Sequence, residues 1–591
     1  MTYAPPISEI DFSLNHIAGF GALIDNGLYG DLDRETAAAI LEEAGRFAAE
    51  ELVPLNWQGD QQGATLQGGE VRLPDGWQQA YRKWTEGGWA SLTGPAEFGG
   101  QELPHVLALA VNEIWNAANM AFGLCPLLTQ GAVDALAVHG SDELKRLFLP
   151  KMVSGEWTGT MHLTEPHAGS DLRFLKTRAV PAGDGTYRLT GTKIYITYGE
   201  HSMTENIVHL VLARLPDAPA GTRGISLFLV PKFLVNADGT LGERNDVICT
   251  KLEHKLGIHA SPTCVMNFGE RGGAVGYMVG EPNRGLAAMF TMMIAARLSV
   301  GIQGVGIAER AYQQALAYAR DRKQGASVGA PDGLVAIIEH PDVLRMLLNM
   351  KAKIAAARAI VLTAGAAMDV SHRAKDAAER ERAGGIAALL TPVAKAFGTD
   401  IGVEVASKGI QVHGGMGYVE ETGAAQHLRD ARIATIYEGT NGIQAIDLVT
   451  RKLPLAKGAV VQGHIDDLRG IVGSIKASNE PSFGVMAVRL GEAVDALDDA
   501  TRWMQNALSA SPNAALAVAT PYTKLFAIAT GGAYLAKGAL AAVRADNGAR
   551  AHIAVARHFA EHLAVDAPSL KIAVTEGHAT ILQAADDVFA A

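Results

Sequence analysis

Residues 429–453 read RDARIATIYEGTNGIQAIDLVTRKL, and one carboxylate, Glu438, stands near their centre among apolar and small residues. Apolar residues follow at Ile443, Ile446, Leu448 and Val449, a spacing that predicts a helix with one face toward a core. Glu438 is therefore expected in the turn just before that helix. Burial disfavours a carboxylate, so an acid in such a setting has a raised pKa, and a base poised nearer neutrality suits proton abstraction. A lone loop glutamate is more commonly a solvated surface residue. The rest of the chain decides between the two.

The chain has 591 residues, too many for one core, so several domains are expected. Hydrophobic residues make up 48% and charged residues 19%, a balance that fits a packed globular protein rather than a disordered one. The net charge of -11 leaves no basic excess to neutralise phosphates, so no nucleic-acid partner is expected. No uninterrupted apolar run reaches the roughly 18 residues of a membrane span, and no span is expected. The opening residues MTYAPPISEIDF show neither a basic n-region nor an apolar h-region. Cys125, Cys249 and Cys264 are odd in number and far apart, so neither a disulfide framework nor a metal site is expected. A reducing cytoplasm is the expected compartment.

Along the chain the texture changes three times. Residues 1–155 read as a helical domain, with Leu32, Ile40, Ala44, Phe47 and Leu52 on one face and Pro54 as a stop. Residues 156–280 carry short alternating runs and turn dipeptides, a β domain in which Tyr187–Thr197 reads as two short strands around Thr190-Gly191 and Ile207–Ala213 and Ile225–Val230 read as apolar strands. Residues 281–453 return to helices, from Gly285 to Tyr318, His340 to Val370 and Gly385 to Gly409. Residues 454–591 are an Ala-rich helical extension.

Four further segments carry candidate chemistry. Residues 158–171, TGTMHLTEPHAGSD, cluster hydroxyls and glycine at the start of the β domain. Such loops hold phosphates or a ring edge, or else simply turn on local hydrogen bonds. Residues 193–197, KIYIT, alternate as a half-buried strand does. Residues 320–324, RDRKQ, are a basic helix end, suited to phosphate through an arginine fork or to the helix dipole alone. Residues 411–417, QVHGGMG, place glycines where a backbone can approach a ligand closely, and His413 reads as a structural residue. The glycines at 301–306 fall in a helical stripe and not after a strand, which argues against a dinucleotide fingerprint.

Taken together, the IYEGT, LTEP-x-AGSD, KIYIT, RDRKQ and Q-x-x-GG-x-G segments, in that family's own order, resemble the acyl-CoA dehydrogenases from about residue 35 to 453. The resemblance implies an α+β fold: a helical domain, a β-barrel-like domain, a four-helix bundle and, here, an extra C-terminal helical domain. It implies FAD as cofactor, bound by Met161, Leu163, Thr164, Gly169, Ser170, Tyr195, Thr197, Arg322, Gln411, Gly414, Gly415 and Thr440. Thr197 would meet the flavin N5 edge, Tyr195 would pack on the ring, and Arg322 would reach the pyrophosphate of a neighbouring subunit. Glu438 would be the catalytic base, and Ser170, Arg297, Glu438 and Gly439 would contact the acyl-CoA. The family's other base position matches Ala296, which has no carboxylate. Electron-transfer flavoprotein is the implied electron acceptor, and a homodimer or dimer of dimers the implied assembly.

The extension is shared with a longer subgroup acting on long-chain or broad-range acyl-CoAs or on 3-methylthiopropanoyl-CoA. Tyr3-Ala-Pro, GEWTGTMHLTEP and residues 255–264, KLGIHASPTC, are most similar to the last of these. An acyl-CoA oxidase shares base and flavin, and a non-catalytic acyl-CoA-binding paralogue shares the scaffold. The latter is disfavoured by the presence of Glu438.

Overall fold

The computed structural model describes residues 3–326, 333–544 and 549–589. The chain divides into two compact units, Phe47–Leu103 with Ala118–Ala296, and Met1–Arg46 with Pro104–Ala117 and Arg297–Ala591.

The first unit is built on one eight-stranded sheet. Its strands are β1 (Trp157–His162), β2 (Arg178–Pro181), β3 (Tyr187–Thr197), β4 (Asn206–Ala213), β5 (Ser226–Pro231), β6 (Val247–Leu252), β7 (Thr263–Phe268) and β8 (Ala274–Val279). The order is β6-β7-β3-β8-β5-β4-β1, with β2 alongside β3. Among the described strands, β1 and β4 pair in parallel and the other pairs are antiparallel. All residues of β4 and β5 are buried, which is why both are mostly apolar, with Asn206, His209 and Ser226 as buried polar exceptions. Leu149, Trp157, Leu210 and Met289 belong to one core, and Leu189, Phe228, Met266 and Phe268 to another.

Two expectations are corrected here. Tyr187–Thr197 is one strand and not two, because Thr190 pairs with Arg178 and Gly191 with Phe268, and a turn would break both ladders. Within the stretch read as helical, Thr65–Gln67 and Glu70–Arg72 form a hairpin around Gly68-Gly69, both glycines having positive φ.

The second unit is helical. It contains α1 (Gly285–Asp321) from Arg297 onward, α2 (Pro341–Arg373) and α3 (Ala377–His413), followed by the short α4 (Asn441–Asp447). α1 and α3 cross closely on glycine: a Cβ on Gly304 would lie 2.2 Å from the Gly398 carbonyl oxygen. The 301–306 glycines thus serve helix packing. α3 begins eight residues before the predicted Gly385, where Asp376 caps it by accepting from the Glu379 N–H. The extension adds α5 (Ala459–Ser478), α6 (Met486–Ala510), α7 (Ala519–Arg544) and α8 (Ala549–His562). α7 packs on α2, where a Cβ on Gly531 would sit 3.0 Å from the Ala356 Cβ.

Arg358 of α2 lies at the heart of this unit, 1% exposed. It donates to Glu113 at 2.6 and 2.9 Å and to Glu309 at 3.0 Å. Five helices among the described residues are long and apolar enough to cross a membrane by length and composition, although none is an uninterrupted apolar run. Their apolar windows are 56 to 78% buried in the protein, so core packing accounts for their composition.

Candidate active site

Glu438 lies in the turn before α4, with φ of +55°, and Gly439 follows at +84°. A left-handed conformation at a non-glycine residue costs on the order of 1 kcal/mol and persists only where the surroundings over-determine it. Here they do. Thr440 Oγ1 caps α4 by accepting from the Ile443 N–H at 3.2 Å. Gln444 Nε2 donates to the carbonyls of Glu438 and Gly439, both at 3.1 Å. The Tyr437 hydroxyl donates to Gln303 Oε1 on α1 at 2.5 Å.

The apolar stripe read from the sequence is only half core: Leu448 and Val449, just past α4, are fully buried, but the buried side of α4 itself is mostly polar. Gln444, Ala445 and Asp447 are buried, and Ile446 is 38% exposed. The polar residues turn inward because the turn carbonyls and Arg297 need partners.

Glu438 itself is partly buried. Lost solvation pushes its pKa up to about 7, against the opposing pull of Arg297 and then Lys395. Arg297 of α1 is 8% exposed, and its Nη1 lies 3.6 Å from Asp447 Oδ2. Lys395 of α3 is 0% exposed and donates to Asn441 Oδ1 at 2.8 Å. Burial draws its pKa down to about 7, with Glu438 and Asp400 resisting. Among the described residues, Gln303 Nε2, Gln444 Oε1, Arg297 Nε and Asp447 Oδ2, on the elements that hold this turn, are buried without a hydrogen-bond partner. Each such group costs about 1–3 kcal/mol, so their clustering marks a site that substrate or water completes.

In the sheet unit, the Ile194 N–H donates to the Thr164 carbonyl at 3.0 Å and so joins the 158–171 segment to the KIYIT strand. Met161, Leu163, Thr164 and Thr197 are partly exposed there, and Gly169 and Ser170 are exposed. Tyr195 is 63% exposed with φ of +62°. The hub behind this face is Glu165, which the sequence reading missed. Its carboxylate accepts from Lys176 N–H (2.7 Å), Thr177 N–H (3.0 Å), Thr177 Oγ1 (2.6 Å) and buried Lys193 Nζ (2.9 Å). Burial alone would raise its pKa, but Lys193 and these donors bring it below the ordinary carboxylate value. Glu165→Gln should leave the Lys193 ammonium uncompensated. We expect about 2–4 kcal/mol lower stability and weaker retention of cofactor, read from the unfolding midpoint and the flavin content of the purified protein.

The other predicted residues lie elsewhere in the helical unit. Arg322 is exposed just beyond α1, about 37 Å along the helix from Arg297, with Nη2 3.3 Å from Gln324 Oε1. Gln411, Gly414 and Gly415 are exposed at the end of α3. Gly414 has φ of +60°, and a Cβ on either glycine would meet nothing within 4 Å. His413 is buried and stacks on Tyr318, with Nδ1 2.7 Å from the Gly409 oxygen. Sequence reasoning also missed Lys395, Asn441, Gln303 and Gln444. A lysine in the apolar run Val393-Ala394-Lys395-Ala396 was the one available signal.

The chain is 45% identical to the 3-methylmercaptopropionyl-CoA dehydrogenase of Ruegeria pomeroyi, over 99% of this chain and 100% of that one. The chain belongs to the acyl-CoA dehydrogenase family. Profiles of the acyl-CoA dehydrogenase N-terminal, middle and C-terminal domains match residues 34–156, 160–270 and 283–453. A profile described as acetyl-CoA dehydrogenase C-terminal like matches residues 464–585. A broad-specificity linear acyl-CoA dehydrogenase of Mycobacterium tuberculosis, FadE5, is 34% identical over 79% of this chain and 78% of its own. The solved structure of Caenorhabditis elegans ACDH-11 with C11-CoA has the same fold, with a TM-score of 0.76 at 22% identity, covering 96% of this chain and 92% of that one.

As a member of this family the protein is an FAD-dependent oxidoreductase. The residues present fit that cofactor. The hydroxyls of Thr164, Ser170 and Thr197 form no side-chain hydrogen bond among the described residues, and the ring of Tyr195 is exposed. Such a face offers free donors and acceptors to the edge of a flat heterocycle and an aromatic surface to its plane.

Proposed function

We propose that this acyl-CoA dehydrogenase oxidises an acyl-CoA thioester to its trans-2-enoyl-CoA with Glu438 as the base, and that 3-methylthiopropanoyl-CoA, giving 3-methylthioacryloyl-CoA, is its substrate. The observation that carries the chemistry is Glu438 itself: a partly buried carboxyl with a pKa near 7, held in a left-handed turn between two cations. Its carboxylate takes the α-proton. Its own backbone N–H, which makes no hydrogen bond among the described residues, is free to donate to the thioester carbonyl and stabilise the developing enolate. Arg297 would line the site or steady the CoA side, and Ser170 and Gly439 would contact the acyl-CoA. The β-hydrogen leaves as hydride, for which bound FAD supplies the acceptor.

Met161, Leu163, Thr164, Gly169, Ser170, Tyr195, Thr197 and Thr440 would hold the flavin, Gln411, Gly414 and Gly415 would lie against the FAD adenosine and pyrophosphate, and Arg322 would reach the flavin pyrophosphate of a neighbouring subunit in a homodimer or dimer of dimers. Electron-transfer flavoprotein is the proposed acceptor, the cytoplasm the proposed compartment, and degradation of dimethylsulfoniopropionate the proposed pathway. The proposed domain limits are 1–155, 156–280, 281–453 and 454–591. The thioether assignment is supported by the full-length likeness to the Ruegeria pomeroyi enzyme.

The base must be ionised to act. The rate of flavin bleaching by saturating acyl-CoA should therefore rise with pH through about 7 and level off above it. A flat or falling profile across that range would remove Glu438 from the role. For the substrate, kcat/KM with 3-methylthiopropanoyl-CoA should exceed that with butanoyl-CoA by at least about tenfold. Peroxide formed in air at the full turnover rate would favour an oxidase instead.

A further inference from the structure

We propose that Lys395 is a positioning residue for Glu438: through Asn441 its ammonium locks the start of α4 against α3 and holds the turn that presents the carboxylate. The inference rests on Glu438 being the base and adds to that reading a residue on another helix.

The geometry is a short relay. Lys395 Nζ donates to Asn441 Oδ1 at 2.8 Å. Asn441 opens α4, three residues after Glu438, and its Nδ2 donates to Asp400 Oδ1 at 2.6 Å, Thr399 Oγ1 at 3.0 Å and the Ala396 carbonyl at 3.2 Å. Its whole amide is thus committed to α3. From Asn441 the chain runs back through the Thr440 cap and Gly439 to Glu438. A wholly buried ammonium is expensive, and an apolar residue among Val393, Ala394 and Ala396 would pack there at lower cost. No carboxylate lies within ion-pair distance of Lys395 Nζ among the described residues. Its charge is therefore compensated by the Asn441 dipole and by the fields of Glu438 and Asp400.

The charged groups facing Glu438 are Arg297 from α1 and Lys395 from α3, with the Tyr437 phenol beside it. Asp447 and Arg451 face Arg297, and Asp400 faces Lys395. Arg297 is shared with Asp447, whereas Lys395 has no such carboxylate of its own. Removing Lys395 should therefore both loosen the turn and make Glu438 harder to ionise.

The test uses FAD-loaded enzyme under anaerobic conditions. Lys395→Met should keep its flavin and its acyl-CoA affinity within about twofold, and lose at least about tenfold in the rate of flavin bleaching at saturating acyl-CoA. The acid limb of that rate should move upward by about half to one pH unit, a change that a packing role alone would not produce. Asn441→Ala, which keeps the cation, should show the rate loss with a smaller shift of the limb. It also carries the test should Lys395→Met fail to fold. Lys395→Met with wild-type rate and limb overturns the proposal, as does Asn441→Ala with wild-type rate. Glu438→Gln separates the two readings. If it turns over normally, the base assignment fails. If it is inactive while Lys395→Met is normal, only this inference fails.

Discussion

Glu438→Gln is expected to bind FAD and acyl-CoA and to bleach its flavin about three to four orders of magnitude more slowly than the wild type. Glutamine keeps the shape of the side chain, so the turn, the Gln444 bonds to its carbonyls and the backbone N–H remain. What is lost is the group that takes the α-proton. The same substitution should stabilise the protein in alkaline solution. Glu438 has a folded-state pKa near 7, above the unfolded value of 4.5, so the folded state favours its neutral form. The stability this group contributes is whole below pH 4.5 and is lost as pH rises through about 7. Glutamine stays neutral throughout. The variant should therefore match the wild type in acid and exceed it by on the order of 1–2 kcal/mol at about pH 8, measured by denaturant unfolding. A variant that is inactive but gains nothing at alkaline pH would show that Glu438 is not desolvated.

Arg358→Leu should have the largest effect on stability of any single substitution considered. The guanidinium bonds Glu113 and Glu309 together, all three side chains being almost wholly out of solvent. Burial lifts the Glu113 pKa even with the arginine present. Removing the cation leaves two buried carboxylates, with Lys351 at 3.9 Å from Glu309 as the remaining counter-charge. The expected loss is about 3–5 kcal/mol, enough to lower expression or prevent folding at 37 °C. Arg358→Lys should recover only part, because an ammonium lacks the planar fork that spans both acids. A midpoint in urea shifted by less than the equivalent of about 1 kcal/mol would contradict this account.

Much of the fold was legible because its signals are local. The turn before α4 and the sheet interior came directly from spacing: Glu438 precedes a helix, and β4 and β5 are mostly apolar runs. The misreadings were places where tertiary partners override local preference. Thr190-Gly191 has turn chemistry but is paired on both sides. Ile446 was assigned to the core by period, yet Gln444 and Asp447 turn inward because a strained turn and Arg297 need their polar atoms. The residues that seat the site, Glu165, Lys193, Lys395 and Asn441, were illegible for the same reason. Their meaning lies in contacts 11 to 46 positions apart, which no periodicity reports.

The most direct test of the central claim is an anaerobic titration of the yellow protein with butanoyl-, octanoyl-, palmitoyl- and 3-methylthiopropanoyl-CoA, following the oxidised-flavin absorbance. The account predicts stoichiometric bleaching, most effective with 3-methylthiopropanoyl-CoA, and a product two hydrogens lighter than the thioester added. Full flavin occupancy with no bleaching by any of the four would contradict it.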